Sequence, residues 1–188
     1  MSAPRLLRHA DRPASPWANG GGVTYQVLVW PEGAGFTEFE WRISFAEVAS
    51  EGPFSTLPGV DRILVLVEGR GMELSIDGSR HLLPPMAPIA FTGEAVVESR
   101  LPWGPTVDFN VMARRGHIRA EVRMISLDGE LACSGNGPTQ LLAVLDGSCR
   151  LDTGDAFPLL ARDCLLVSEP YRLLGRATLA EVTLQPWL

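Results

Sequence analysis

The sequence contains no lysine, and all 16 basic residues among its 188 are arginine. The absence of lysine excludes Schiff-base catalysis and the phosphate-binding lysine of a Walker-type loop. Arginine presents a planar fork of donors that can bind a carboxylate with two hydrogen bonds. A GC-rich genome would also favour arginine over lysine, so the composition alone leaves carboxylate recognition as one of two explanations.

Cysteine and histidine are scarce, with three of each in the chain. They are Cys133, Cys149 and Cys164, and His9, His81 and His117. The cysteines are odd in number and show no CxxC spacing, which is typical of neither a disulfide framework nor a structural zinc site. The histidines are scattered, and no two are spaced to share one ligand face. We therefore expect no bound metal and no other cofactor, and we expect Cys149 and Cys164 to be core residues.

Long apolar segments are also absent. No run of about seven apolar residues follows the N-terminus, and nowhere do about 18 occur together, so we expect neither a signal peptide nor a membrane span. The net charge of −6 and the pI near 5.1 disfavour binding to nucleic acid or to an anionic membrane. With the cysteine usage, these features predict a cytoplasmic protein with no nucleic-acid partner and no membrane partner.

Turn-forming residues punctuate the chain, since 15 prolines and 19 glycines separate short segments that alternate or are β-branched. Residues Trp41 to Phe45 alternate, so Arg42 and Ser44 share one face of a predicted strand. Met72 to Ile76 leads into Asp77-Gly78, a hairpin signal. Further strands are predicted at 62–67, 81–83, 89–91, 96–99 and 107–112. No segment has a sustained 3.6-residue period, so the prediction is an all-β fold with very little helix.

A weak internal repeat divides the chain. Leu64 to Gly69 is echoed 78 residues later by Leu142 to Gly147. In each copy an apolar strand runs into an acidic residue and a glycine, which predicts a turn. The pattern resembles a bicupin, two cupin-type β-barrel halves packed in one compact unit. We place the join near Gly116, with an N-terminal half of residues 1–115 that holds the candidate ligand pocket and a C-terminal half of residues 116–188.

The segment before the first long predicted strand contains three successive glycines, Gly20 to Gly22. Glycine permits positive φ angles and close approach of the backbone to a ligand. Successive backbone amides can also hold an anion. No helix signal and no lysine follow, which argues against a nucleotide-binding loop. The segment is therefore either a binding loop, with Asn19 as its polar side chain, or a loop that closes a barrel mouth.

Two arginines occur in apolar strands, and each has two explanations. Arg42 and Ser44 either line a cavity, where a ligand carboxylate would pair with the guanidinium group, or are turned to solvent. Arg62 lies at the entrance of a strand after a turn-rich segment. It is either presented to a ligand at a barrel rim or paired with Asp61 on the surface.

A further predicted strand has one polar face. Asp108 and Asn110 lie on one side of this strand, and Phe109 and Val111 lie on the other. The polar side either faces solvent or lines a polar pocket.

Four motifs, taken together and in this order, resemble the HutD/Ves family of metal-free bicupin-like bacterial proteins. They are Trp17-x-Asn19-Gly20-Gly21-Gly22-x-Thr24, Trp41-Arg42-Ile43-Ser44, Gly52-Pro53-Phe54-Ser55-x-x-Pro58-Gly59-x-x-Arg62 and Asp108-Phe109-Asn110-x-Met112. The resemblance covers most of the chain. The sequence departs from the family at Ala18, where many relatives carry a basic residue, and at Gln26, where many carry a glutamate.

The resemblance implies a two-barrel β fold. For the HutD branch it implies a link with histidine utilisation and a ligand such as N-formylglutamate or formiminoglutamate. For the Ves branch it implies a link with stress responses.

Our interpretation is a metal-free protein that binds a small acyl-amino-acid or dicarboxylate. The predicted binding residues are Asn19, Arg42, Ser44, Arg62, Asp108 and Asn110. The two arginines hold carboxylates, Ser44 and Asn110 fix an amide or formyl group, and Asn19 contributes from the covering loop. Asp108 orients one of the arginines.

The competing interpretation is a metal-free isomerase, epimerase or hydrolase acting on a similar substrate. Its acid or base would be Asp108, Glu47 or Glu68. A third possibility is a regulatory subunit whose ligand controls docking to another protein, and a homodimer is a possible assembly.

Overall fold

The structure is a computed structural model that describes residues 4–133, 139–152, 158–167 and 170–187. Within these ranges the chain forms β-strands and no helix, which confirms the all-β prediction. No described residue therefore belongs to a helix that could cross a membrane. The strands are β1 (Arg5–Leu7), β2 (Ala14–Pro16), β3 (Gly22–Trp30), β4 (Trp41–Val48), β5 (Gly52–Pro53), β6 (Val60–Glu68), β7 (Met72–Ile76), β8 (Ser79–Leu83), β9 (Pro88–Thr92), β10 (Val97–Arg100), β11 (Thr106–Arg114), β12 (Ile118–Cys133), β13 (Thr139–Leu151), β14 (Pro158–Leu160), β15 (Cys164–Val167) and β16 (Tyr171–Pro186).

The strands form two compact units. Residues 12–119, together with Pro186 and Trp187, form the first unit, which holds one sheet of order β2-β3-β4-β11-β6-β9 and a smaller sheet of order β5-β10-β7-β8. The second unit comprises residues 120–185 and the N-terminal segment up to Asp11. Its sheet has the order β1-β15-β13-β16-β12, with β14 paired to β13. The predicted division into cupin-like halves at residues 115 and 116 stays a prediction.

The two sheets of the first unit enclose an apolar core. Leu64 and Leu66 of β6 pack in one cluster with Met72 and Leu74 of β7, and all four are essentially unexposed. Each such side chain contributes roughly 1.5–3 kcal/mol through burial. The larger sheet therefore presents one face of β6, β4 and β11 to the interior between the sheets.

The hairpin predicted at Asp77-Gly78 is confirmed. Ile76 and Ser79 are paired across β7 and β8, which leaves a two-residue loop. Both loop residues have positive φ, +49° and +82°, as a type I′ turn requires. The Asp77 carboxylate also accepts a hydrogen bond from Val96 N at 2.9 Å, which ties the turn to the segment that enters β10.

The repeat prediction is wrong about the turn in its second copy. β6 does end at Glu68, but Asp146 and Gly147 lie inside β13, which continues to Leu151. The register against β16 shifts between Val144 and Asp146, so β13 carries a β-bulge at Leu145 and Gly147 is paired with Ala177 just after it. Gly147 has φ +76°, and a Cβ there would collide with the backbone of β16. The local pattern of acid and glycine therefore occurs here inside a continuous strand as well as at a strand end.

The N-terminal segment is held in the second unit by Asp163. This buried carboxylate accepts hydrogen bonds from His9 N at 2.8 Å and from the Arg8 guanidinium group at 2.8 Å. β1 pairs with β15. Cys149 and Cys164 of the same unit are buried free thiols, as expected of core residues.

Candidate functional site

A cavity of about 590 Å³ lies inside the first unit. All six residues of the predicted binding set line it, namely Asn19, Arg42, Ser44, Arg62, Asp108 and Asn110. One wall is the inner face of β4, β11 and β6, and Gly52 and Ser99 of the smaller sheet line the cavity from β5 and β10. The structure thus brings together residues up to 91 positions apart in the sequence, and their role in binding remains a prediction.

The register of three adjacent strands places the polar side chains side by side. Asn110 of β11 is paired with Ser44 of β4, and Met112 is flanked by Arg42 of β4 and Arg62 of β6. Side chains two positions apart share a face, so these residues project into the same space. The solvent-facing alternative for β11 is wrong, because the second sheet covers this face and leaves Asn110 5% exposed.

Arg62 is buried, with 4% exposure, so the alternative of a surface pair with Asp61 is wrong. Asp61 lies next to it in the strand and pairs with Arg115 at 2.7 Å instead. Successive residues of a strand point to opposite faces, which sends Asp61 outward and Arg62 inward.

Aromatic rings, rather than an acid, hold the Arg62 guanidinium group in place. Its Cζ atom lies 5.0 Å from the ring centre of Phe54 and 5.1 Å from that of Phe91. Nη1 donates a long hydrogen bond of 3.4 Å to the Ser55 carbonyl, and Nε has no partner among the described residues. Burial lowers the pKa of Arg62 to about 10, and the charge of Asp108 opposes this shift. Arg62 is therefore a cation at neutral pH with donor capacity left for a ligand.

Arg42 has a similar arrangement at another position in the cavity wall. Its Cζ atom lies 5.2 Å from the ring centre of Phe36, which belongs to the loop between β3 and β4 and is half-exposed. The Nε atom is buried and has no hydrogen-bond partner in the described part of the chain. Burial lowers the pKa of Arg42 as well.

Asp108 is the most deeply buried carboxyl group of the cavity, with 1% exposure. Burial raises its pKa to about 7, and the nearby charge of Arg62 acts in the opposite direction. Its Oδ1 atom is buried with no hydrogen-bond partner in residues the structure describes. Asp108 acts on Arg62 through its charge, and its role in orienting an arginine stays a prediction.

The glycine-rich segment forms part of the cavity lining next to Asn19. Gly20 has φ +70° and donates its N–H to the Trp17 carbonyl, forming a tight turn. The Asn19 side-chain oxygen accepts the Gly21 N–H at 3.0 Å. A Cβ on Gly21 would lie 2.8 Å from the Ser50 hydroxyl. The first glycine is thus needed for its backbone angle and the second for close packing.

We predict that Gly22→Ala destabilises the first unit by about 2 kcal/mol, because an added methyl group overpacks the site. A Cβ at Gly22 would lie 2.5 Å from the Glu47 carbonyl and 3.0 Å from the Trp17 ring. Gly52→Ala is the matched control, since a Cβ there meets nothing within 4 Å. Urea unfolding followed by tryptophan fluorescence measures the effect, as all five tryptophans belong to the first unit. Equal midpoints for the two variants would contradict the packing argument.

The apolar and acidic parts of the lining were not predicted from the sequence. Phe36, Phe54 and Trp17 line the cavity, and so does Glu51, whose Oε1 accepts a hydrogen bond from Leu101 N at 3.0 Å. The Gly52-Pro53-Phe54 motif was a visible signal for one of these rings. Nothing local to Phe36 connects it with Arg42, because that contact depends on how the loop between β3 and β4 folds.

Two of the three proposed catalytic acids lie outside the cavity lining. The Glu47 carboxylate accepts a hydrogen bond from the Tyr25 hydroxyl at 3.4 Å, and Glu68 is exposed at the end of β6. Among the described residues, no three histidine, cysteine, aspartate or glutamate side chains are grouped so that they could hold a metal ion. The expectations of no metal and no cofactor stay predictions.

The fold is that of a cupin-like protein. A cupin 2 conserved barrel domain protein from Leptotrichia buccalis superimposes with a TM-score of 0.59 over 87% of this chain and 89% of its own, at 14% identity. The chain belongs to the HutD family, whose model matches residues 9–183.

Relatives within the family include both branches expected from the motifs. An uncharacterized 21.2 kDa protein of the hutC 3′ region of Pseudomonas putida is 36% identical, over 93% of this chain and 92% of its own. The structure of HutD from Pseudomonas fluorescens SBW25 matches with a TM-score of 0.82 and 31% identity over 97% of this chain and all of that one. Protein Ves of Escherichia fergusonii is 37% identical over 60% of this chain and 59% of its own.

Proposed function

We propose that the cavity of the first unit binds a small acyl-amino-acid or dicarboxylate such as N-formylglutamate, and that the protein has a regulatory or accessory role in histidine utilisation. The observation that carries the proposal is the pair Arg42 and Arg62, whose Nε atoms are both buried and have no hydrogen-bond partner among the described residues. Unsatisfied buried donors are costly, so a site that keeps two of them is suited to a ligand that accepts from both.

The remaining polar groups suit the rest of such a ligand. Ser44 and Asn110 are buried neighbours that can hydrogen-bond an amide or formyl group. The Asn110 oxygen has no partner within the described residues, so it can accept from an amide N–H. The amide nitrogen of Asn19 adds donors from the glycine-rich segment. Phe36 and Phe54 would cover the aliphatic part of the ligand.

The relatives' names support the same choice. The Pseudomonas putida relative is named for its position beside hutC, and the Pseudomonas fluorescens HutD structure is described as a formate condition. Formate is the smallest carboxylate, the group for which two arginines are suited.

Isothermal titration of the EDTA-treated protein with N-formyl-L-glutamate tests the proposal. We expect saturable binding with a dissociation constant near 10 μM, about −7 kcal/mol. L-Glutamate and formate are run beside it, because each lacks one part of the proposed ligand. The absence of heat with all three compounds would reject this ligand class and favour the stress-linked Ves branch, for which co-purifying metabolites would be the starting point.

A metal-free enzyme is the second candidate, and Asp108 is the observation that favours it. A carboxyl group with a pKa of about 7 in a cavity can serve as a general acid or base at neutral pH. Proton NMR of the protein with N-formyl-L-glutamate would show turnover, and Asp108→Asn should abolish it. An unchanged spectrum over hours favours binding alone.

A regulatory role would depend on a protein partner, which we propose responds to the ligand. A pull-down from the native organism, with and without N-formyl-L-glutamate, compares the two states. The cytoplasmic location, the possible homodimer and the expectation of no nucleic-acid or membrane partner stay predictions, and size-exclusion chromatography tests the dimer.

A further inference from the structure

Asp108 is an acid within a cavity whose arginines suit an anion. The charged side chains that line the cavity with it are Arg62 of β6, Arg42 of β4 and Glu51 of the β4–β5 connection. The Glu51 Oε1 atom already accepts a hydrogen bond from Leu101 N. β3, β5 and β10 contribute Thr24, Gly52, Pro53 and Ser99 to the lining, none of which titrates near neutral pH.

The ionised form of Asp108 depends on Arg62. The carboxyl group is 1% exposed, its Oδ1 has no partner among the described residues, and the positive charge of Arg62 is the interaction that favours its ionisation. A buried charge without a compensating partner is strongly disfavoured. Whatever neutralises Arg62 therefore favours the protonated carboxyl group.

An anionic ligand would neutralise Arg62. A ligand carboxylate on that guanidinium group puts a second negative charge beside Asp108 and removes the water that solvates the cavity. Two carboxylates that share one site do not both stay ionised, and one of them takes a proton. The ligand carboxylate keeps its charge through the arginine bonds, so Asp108 is the group that changes.

We propose that Asp108 takes up a proton from solvent when an anionic ligand binds to the arginines, and that the resulting carboxylic acid donates a hydrogen bond to a ligand oxygen. The inference rests on the proposed function and names the coupling at that site. No bond of the ligand is broken, and the proton comes from bulk water or buffer.

This coupling would set the class of ligand. With Asp108 protonated, its O–H adds a donor to those of the two arginines, so this part of the cavity favours a ligand that presents oxygen acceptors to these three groups. An N-acyl amino acid does so, whereas a free amino acid presents an ammonium group that needs an ionised acid. Because the pKa of Asp108 is about 7 when the cavity is free, a modest further rise in that pKa suffices for proton uptake near neutral pH.

Isothermal titration with N-formyl-L-glutamate at pH 8, in HEPES and in Tris, measures the proton directly. The difference in observed enthalpy between buffers of different ionisation enthalpy gives the number of protons exchanged. We expect uptake of about half to one proton at pH 8, and a dissociation constant that is flat below pH 6 and rises about tenfold per unit above pH 7. The ligand carboxyl groups titrate near pH 4 and do not contribute.

Asp108→Asn should remove both the proton uptake and the pH dependence of the dissociation constant, because asparagine does not titrate. Asp128→Asn is the matched control, because Asp128 is an exposed acid paired with Arg176 and does not line the cavity. It should behave like the wild type. If the variant at position 108 does not fold, the carboxyl ¹³C shift of Asp108 in the labelled wild-type protein reports the same protonation on ligand addition.

The two proposals fail in different ways. Binding without proton uptake by the wild type, or equal uptake by Asp108→Asn, overturns the coupling and leaves the proposed function standing. No binding by the wild type at any pH between 6 and 9 overturns the proposed function together with the coupling.

Discussion

Arg62→Ala is expected to weaken binding of N-formyl-L-glutamate by about 30- to 150-fold, the loss of about 2–3 kcal/mol that accompanies removal of a buried, charge-assisted hydrogen bond. The side chain is 4% exposed and contacts the rings of both Phe54 and Phe91, so its donors are held in place before the ligand arrives. Such preorganisation keeps the entropy cost of binding low. Isothermal titration at pH 7 measures the change.

Two further variants complete this test. One separates the charge of the Arg62 guanidinium group from its shape, and the other is a control. Arg62→Lys keeps a cation but loses the planar fork and the stacking, so we expect an intermediate loss. Arg115→Ala is the matched control, because that arginine is exposed, pairs with Asp61 and Glu94, and does not line the cavity. Unchanged affinity in Arg62→Ala, with the fold intact by circular dichroism, would remove Arg62 from the site.

We compare the free energy of unfolding of Asp108→Asn with that of the wild type at two pH values. The difference should be more favourable to the variant at pH 8 than at pH 4, by on the order of 3–4 kcal/mol. The pKa of Asp108 is raised by burial to about 7, from an ordinary value of 3.8 in the unfolded chain. Between these values the unfolded chain releases a proton that the folded protein keeps. Wild-type stability is therefore lost as the pH rises from about 4 to about 7, and asparagine does not titrate.

Urea unfolding followed by tryptophan fluorescence at pH 4, 6 and 8 measures this difference. Other shifted groups, such as Asp163, are common to both proteins and cancel in the comparison. Asp128→Asn is again the control and should track the wild type at each pH. Parallel curves for wild type and Asp108→Asn would mean that Asp108 is ionised in the folded protein throughout this range.

Strand identity and strand faces were predictable where the alternation was regular. The period-2 pattern around Arg42 placed Ile43 and Phe45 on one face, and the structure buries both completely. Likewise, Asp108 and Asn110 share a face opposite Phe109. Alternation could not decide whether a polar face met solvent or a cavity, because the answer depends on the second sheet that covers it.

The course of β13 through Gly147 and the environment of Arg62 were not predictable from local sequence. A glycine with positive φ suits both a turn and a strand that continues past a bulge, so Asp146 and Gly147 did not distinguish the two. Arg62 was expected at a barrel rim, yet it is buried against Phe54 and Phe91. Phe91 lies 29 positions along the chain on the neighbouring strand β9, a contact set by sheet order rather than by any motif.

The most direct test of the ligand cavity is a crystal structure of the protein with N-formyl-L-glutamate. We predict density for the ligand inside the first unit, with its carboxylates within 3.2 Å, roughly the hydrogen-bond limit, of the Arg42 and Arg62 guanidinium groups and its formyl group beside Ser44 and Asn110. Asp108 should approach a ligand oxygen. A ligand bound elsewhere, or an occupied cavity in which neither arginine touches a carboxylate, would contradict the account.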